Sequence, residues 1–476
     1  MILGDVLMQD VRFAMRQLVR SRSFAATAIA TLAIGVAATV AAPAPGRYRA
    51  VPITSYHLAN GLKVVLAPDS TTSVVAVGVY YGIGQRTEPV GHEGFAHLFE
   101  HLMFEGSAHL APGELIRLIQ ANGGTFNGNT RFDFTDFWEV VPPAAVRLML
   151  WAEADRMRAL VVDDSALRRQ KEIVKTEVRL SYIDVPDGGF PWLDVPRVAN
   201  RNWQNAHDFR GRPSELDSAT LDEVRRFHQR YYVPNNAVVV LSGAFRLADA
   251  RAWIEEYFAG IPRGEARQLP DTREPLQTAE RRGERIDSLA TSPVLAVAFH
   301  MPPRHTRAFF AMVLIDQRVL QASDSWLNEA LVWRGKLATA VFGGANLQGS
   351  VFDYQGSMLW TVGAQYSRFE QADSITAAIQ AALDRLGRES LDTTALRVAR
   401  QEALSTLYDL SDDRGGFGRL NLLASFALFD DDPTQIDRLE SEIEGVTAGD
   451  IRETARRYLS TEQRTVFVRR PAHVAP

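Results

Sequence analysis

Hydrophobic and polar positions fall into two kinds of pattern from about residue 48 onward. Residues 74–81 and 134–141 are short runs rich in β-branched and aromatic side chains, which predicts buried strands. Residues 56–58 and 62–67 flank Asn60-Gly61, the signature of a two-residue hairpin turn with both central residues at positive φ. Residues 95–104, 144–160 and 164–182 carry helical spacing instead. Residues 183–213 are rich in Gly, Pro, Trp and Asn, so a long irregular excursion is expected there.

The pattern also repeats. Thr220, Val224, Arg230, Tyr231 and Val239 read as a helix followed by a strand, and a shift of 227 residues gives Thr447, Ile451, Arg457, Tyr458 and Val466. Between the two copies, residues 262–286 are dense in Arg, Glu and Pro and poor in large apolar residues, as a linker is. A chain of 476 residues exceeds what one hydrophobic core serves. Two related domains, 47–261 and 287–476, joined by that linker are therefore predicted.

The first 46 residues differ in character. Arg12, Arg16, Arg20 and Arg22 precede a 19-residue uncharged apolar run, 24–42, and then Pro43-Ala44-Pro45-Gly46. Basic flank, apolar stretch and small residues describe an export segment, either a cleaved signal peptide or an N-terminal membrane anchor. The remainder is then expected in a bacterial cell envelope, periplasmic or anchored to the outer side of the cytoplasmic membrane.

Composition narrows the chemistry. The net charge is −5 and no block of five or six basic residues occurs, so nucleic-acid binding has little electrostatic support. Cysteine is absent, which excludes disulfides, thiolate ligands and Cys nucleophiles. Any metal must be held by His, Asp or Glu.

Four of the ten histidines, His92, His97, His101 and His109, lie within 18 residues. His97 and His101 are four apart, so on a helix they share a face and reach one ion. Glu100 lies on the edge of that face, placed to touch a metal-bound water without ligating the metal. His92-Glu93 suggests a different H-E-x-x-H motif, but the next His comes one residue too late. A helical His pair alone is more often surface or packing than ligand. His92 and His109 read as bystanders.

The stretch His92-Glu93-Gly94-Phe95-Ala96-His97-Leu98-Phe99-Glu100-His101-Leu102-Met103-Phe104-Glu105-Gly106-Ser107 resembles the zinc helix of the pitrilysin/insulinase family, the inverzincins. That family includes mitochondrial processing peptidase and half-length bacterial members, and the resemblance runs over residues 56–471. It implies an α+β fold of two related domains, each a mixed, mostly antiparallel sheet packed with helices, the second domain inactive. It further implies one Zn²⁺ per chain and hydrolysis of peptides. The family's third ligand is a Glu roughly 75 residues beyond the second His, which selects Glu177. Glu172, five residues earlier, is the competitor and would point to another side of the helix. Many members carry a second Glu seven residues before the ligand; Gln170 stands there, keeping a hydrogen bond and losing the charge. Residues 123–130, Gly-Gly-Thr-Phe-Asn-Gly-Asn-Thr, resemble the family's substrate strand, with Asn127 at the position that contacts peptide. A Gly/Asn turn leading into a strand accounts for the same letters.

The family's sites are completed by an Arg and a Tyr seven apart, supplied from the opposite half of the assembly. Here Val332 and Thr339 occupy those places, with Arg334 out of register. The expected partner is therefore a degenerate half-length paralogue, forming a heterodimer and supplying the Arg/Tyr pair. The alternative is a non-catalytic binding or assembly subunit of the same fold.

Overall fold

The computed structural model describes residues 51–472 apart from Arg267 and Ser390. The export segment expected within residues 1–46 lies outside the described residues, among which no helix is long and apolar enough to cross a membrane.

Two sheets organise the chain. The first contains β1 (Thr54–His57), β2 (Lys63–Pro68), β3 (Val75–Tyr81), β4 (Thr125–Thr130), β5 (Thr135–Val141) and β6 (Ala237–Gly243), in the order β1-β2-β6-β3-β5-β4. The second contains β7 (Arg281–Asp287), β8 (Val294–His300), β9 (Ala340–Ala345), β10 (Leu359–Gln365) and β11 (Thr465–Pro471), in the order β7-β11-β8-β10-β9. In the first sheet β2 and β6 are parallel and the pairs β6–β3, β3–β5 and β5–β4 are antiparallel. The second sheet repeats this: β7 and β11 are parallel, and β11–β8, β8–β10 and β10–β9 are antiparallel. Strand for strand the halves match, except that the second has no counterpart of β1 among the described residues.

The first half adds helices α1 (Phe95–Leu102), α2 (Glu114–Ala121), α3 (Val146–Arg158), α4 (Asp164–Val178), α5 (Leu221–Tyr231) and α6 (Leu247–Phe258). The second adds α7 (Arg307–Asp316), α8 (Ala372–Arg388), α9 (Thr393–Asp412), α10 (Phe417–Asp430) and α11 (Ala448–Tyr458). The repeat seen in the sequence is α5–β6 against α11–β11. Both helices start on a Thr that caps reciprocally with the third helical residue, Thr220 with Glu223 and Thr447 with Asp450.

Each half lends a helix to the other's sheet. α10 packs on β2, β3 and β6 of the first sheet, while the short helix Asp194–Ala199 packs on β7, β8 and β11 of the second. Strand β3 shows why its sequence is apolar throughout. Val75, Val77, Val79 and Tyr81 face the main core. On the other face Gly78 lies against Leu420, and the Tyr80 hydroxyl donates to Asn421 Oδ1 at 3.2 Å. A strand buried on both faces loses the alternation that a half-buried strand shows.

Three expectations change. The turn at Asn60-Gly61 is wider than a two-residue hairpin: the last paired residues are His57 and Lys63, and of the two only Gly61 has positive φ, +88°. Asn60 is instead buried, its amide donating to Phe258 O at 2.8 Å and Ile261 O at 2.9 Å. The linker expected over residues 262–286 ends sooner, because β7 begins at Arg281. Its sequence, Arg-Arg-Gly-Glu-Arg-Ile-Asp, has no apolar alternation to reveal a strand. Parallel backbone pairing with β11 and ion pairs such as Arg285–Asp194 at 3.1 Å hold it at the sheet edge. The excursion expected over 183–213 contains short helical segments, Asp194–Ala199 and Trp203–Ala206.

Candidate metal centre

Helix α1 buries Phe95, Ala96, Leu98, Phe99 and Leu102, leaving His97, Glu100 and His101 on the open face. Its rotation is set by aromatic packing: Phe99 stacks on Phe227 at 4.8 Å and on Tyr232 at 4.9 Å. Gly94, in the left-handed region at φ +94°, begins the helix without a side-chain cap. Glu88 supplies the missing acceptor, taking Gly94 N–H at 2.9 Å and Ala96 N–H at 2.6 Å. Burial pushes the Glu88 carboxyl up to about 8 against the pull of those two bonds.

Helix α4, capped by Asp163, packs on α1 and ends one residue past Glu177. There the helical hydrogen bonding widens into a π turn, Arg179–Ile183. Glu177 spans the two histidines, with Oε1 3.5 Å from His97 Nε2 and Oε2 3.3 Å from His101 Nε2. The three donor groups lie within 4.8 Å of one another, the one such group found among the described residues. Ligands placed tetrahedrally at about 2.1 Å from an ion stand about 3.4 Å apart, so this spacing fits zinc. The two histidines hold the Glu177 carboxylate well below the usual carboxylate range, His101 first and then His97, despite partial burial. For His97, burial pulls the imidazole down, but the Glu177 hydrogen bond and the Glu100 and Glu177 charges outweigh it and raise it overall.

Glu100 stays off the donor triangle. Its Oε2 accepts the Thr130 hydroxyl, which reaches across from β4. Gly128 on the same strand allows the approach: a Cβ there would stand 3.1 Å from Glu100 Cγ.

The other expected residues divide. Glu172 points elsewhere, ion-paired with Lys175 at 2.6 Å and largely exposed. His109 binds Asp155 at 2.7 Å, and His92 packs edge-on against Phe95. Gln170 does not meet the histidines; its amide donates to Glu105, which also accepts Arg169. Asn127 is exposed on β4, at the edge of the first sheet, while its neighbour Asn129 lines the cleft beside the donors. Val332 falls in the π turn Asn328–Trp333 and Thr339 just ahead of β9, where its N–H bonds Gln365 O at 2.7 Å.

The cleft, about 320 Å³, is lined by His97, Glu100, Thr130 and Glu177 and also by Tyr182, Arg210, Trp192 and Leu347. Tyr182, the last residue of the helical stretch 164–182, and Arg210, within the Gly/Pro-rich excursion, carry no motif that marks them in the sequence.

Two nitrogens and one carboxylate, beside a second carboxylate that stays free, form a donor set of the kind found in catalytic zinc sites. The family model described as Insulinase (Peptidase family M16) matches residues 63–181, and the one described as Peptidase M16 inactive domain matches residues 218–402. The chain belongs to peptidase family M16. It is 26% identical over 294 residues to the zinc protease PqqE of Helicobacter pylori, a match covering 60% of this chain and 65% of that protein. A protease structure from Helicobacter pylori superposes with a TM-score of 0.81 at 22% identity, over 89% of this chain and all of the other. The periplasmic protease PqqL of Escherichia coli superposes with a TM-score of 0.70 at 16% identity, over 88% of this chain and 48% of PqqL. The second family match begins at residue 218, inside the part whose α5 and β6 belong to the first sheet.

Proposed function

We propose that this chain is a zinc-dependent endopeptidase, with His97, His101 and Glu177 as metal ligands and Glu100 as general base. The observation that carries the reading is the donor triangle with Glu100 adjacent to it and outside it. Zinc, when bound, polarises a carbonyl and lowers the pKa of a bound water to about 7. Glu100, oriented by Thr130, takes a proton from the attacking water and returns it to the leaving amine. The free outer edge of β4 suits an extended peptide that adds by main-chain hydrogen bonds, with Asn127 beside it. Gln170 donates to Glu105 and makes no contact with the donors, so it is given no part in the chemistry.

A second, degenerate half-length chain is proposed to close the cleft, because the chain spans about half of PqqL and has Val332 and Thr339 in the places of the family's pair. The export pattern in residues 1–46, and a periplasmic relative of like fold, support a place in the cell envelope.

The second reading, a binding or assembly subunit, draws on the inactive-domain match. That match falls on residues 218–402, away from those that carry the donors. Zinc content and peptide cleavage, compared with Glu100→Gln, decide between them. Loss of the base is expected to lower the rate by about 10²–10⁴-fold with zinc retained. Cleavage at the unchanged rate in Glu100→Gln ends the enzymatic reading.

A further inference from the structure

The donors and Glu100 account for water attack but leave the developing oxyanion without a donor from the chain. Val332 has no side-chain donor, and the hydroxyl and N–H of Thr339 both donate to Gln365 O. The cleft nevertheless holds two other groups suited to the task, one from the π turn after Glu177 and one from the excursion beyond it.

Tyr182 lies in the π turn five residues beyond Glu177. Its ring packs edge-on against Trp192 at 5.4 Å, and its hydroxyl makes no hydrogen bond among the described residues. Arg210 enters from the far end of the excursion. Asp208 grips its Nε at 3.0 Å and its Nη2 at 2.8 Å, and Asp208 is itself fixed by Arg197. A guanidinium has five N–H donors, so this bidentate clamp fixes the plane and leaves the Nη1 edge for a ligand. Both side chains line the cleft that contains His97, Glu100 and Glu177.

Resting on the peptidase reading, we propose that Tyr182 and Arg210 supply from within this chain the donors that steady the oxyanion and orient the peptide. The water oxygen bonds the carbonyl carbon, the C–N bond breaks, and the proton travels through Glu100 to the departing nitrogen. Tyr182 donates a hydrogen bond to the carbonyl oxygen as it becomes negative and keeps its own proton. Burial, and then the nearby Glu177 and Glu100 charges, raise the Tyr182 phenol, which keeps it a neutral donor. Arg210 donates to a main-chain carbonyl of the bound peptide. A partner chain would then enclose the substrate without having to complete the chemistry.

The test uses the zinc-loaded full chain and two ligands: a quenched-fluorescent peptide, and a phosphinic peptide of the same sequence whose tetrahedral phosphorus mimics the intermediate. Tyr182→Phe keeps the ring on Trp192 and removes only the hydroxyl. It is expected to lower kcat by about 10²-fold with KM and zinc content unchanged. It is also expected to weaken the phosphinic peptide by a similar factor while leaving binding of the parent peptide to Glu100→Gln intact. Arg210→Lys is expected to raise KM more than it lowers kcat, since an ammonium does not reproduce the clamped fork. Wild-type affinity for the phosphinic peptide in both variants overturns the inference and leaves the peptidase reading standing. A wild-type chain that binds zinc but not the phosphinic peptide overturns the peptidase reading itself.

Discussion

The Thr130 hydroxyl donates a 2.7 Å hydrogen bond to Oε2 of Glu100, tying the edge strand of the first sheet to the helix that carries the histidines. The carboxylate proposed as general base is thus aimed by a residue on a different element.

Thr130→Val removes that bond with little change in volume. We expect kcat to fall by about 10–100-fold with zinc content intact, the range typical for a lost partner of a site residue. Thr130→Ser should restore most of the rate, because the hydroxyl is what acts. Steady-state kinetics with metal analysis on the three proteins makes the comparison.

Glu177 and Glu172 share α4 and differ in orientation, so they separate cleanly by mutation. Glu177→Ala is expected to lose zinc at micromolar free metal, while Glu172→Ala keeps it, losing only an exposed ion pair with Lys175. Chelation should also lower the Tm of the parent, since an ion bound only by the folded state stabilises it, and should leave the Tm of Glu177→Ala unchanged. Equal zinc content in the two variants would remove Glu177 from the ligand set.

Gly94 and Gly211 lie back to back. A Cβ on Gly94 would stand 2.9 Å from Gly211 Cα, and one on Gly211 would stand 2.5 Å from Gly94 Cα. Both residues have positive φ, +94° and +77°. Gly211→Ala is therefore expected to destabilise the chain by about 1–3 kcal/mol and to loosen the start of α1. Thermal unfolding, with zinc affinity measured beside it, reads both effects.

Acid should destabilise the protein through two histidines, His300 buried and His228 half-buried. Burial pulls His228 and His300 down to about 4. Each is neutral in the fold but titrates near 6.5 when exposed, so the unfolded chain binds more protons between those values. Stability is then fully present above pH 6.5 and is lost as pH falls toward 4, by ~3 kcal/mol per group across the window. His228→Gln should flatten the fall in Tm between pH 6.5 and 4.5. An unchanged slope refutes the assignment.

The sequence was legible where a pattern repeats on its own scale. The α1 motif shows both histidines because helical spacing puts them on one face. The Thr220 and Thr447 echo marks a duplication because both copies need the same cap. β7 was hidden, since an edge strand held by backbone pairing and ion pairs carries no apolar alternation. Asn60 misled because the Asn-Gly letters serve equally a tight turn and a buried side-chain clamp. Tyr182 and Arg210 escaped because their meeting depends on the course of the whole excursion, from the π turn to Gly211. Glu177 could be picked out from Glu172 only through a resemblance; the chain's own spacing allowed either.

The π turn after Glu177 has a mechanical consequence. His97 and His101 are fixed on one helix and Glu177 on another, with nothing covalent between them nearby. A slip of α4 along α1 by a single residue moves the carboxylate by about 1.5 Å, enough to take it out of bonding range. A bound ion would act as a rivet through two packed rods, and the wider π turn beyond Glu177 as the slack that spares the rivet when the rest of the excursion is pulled.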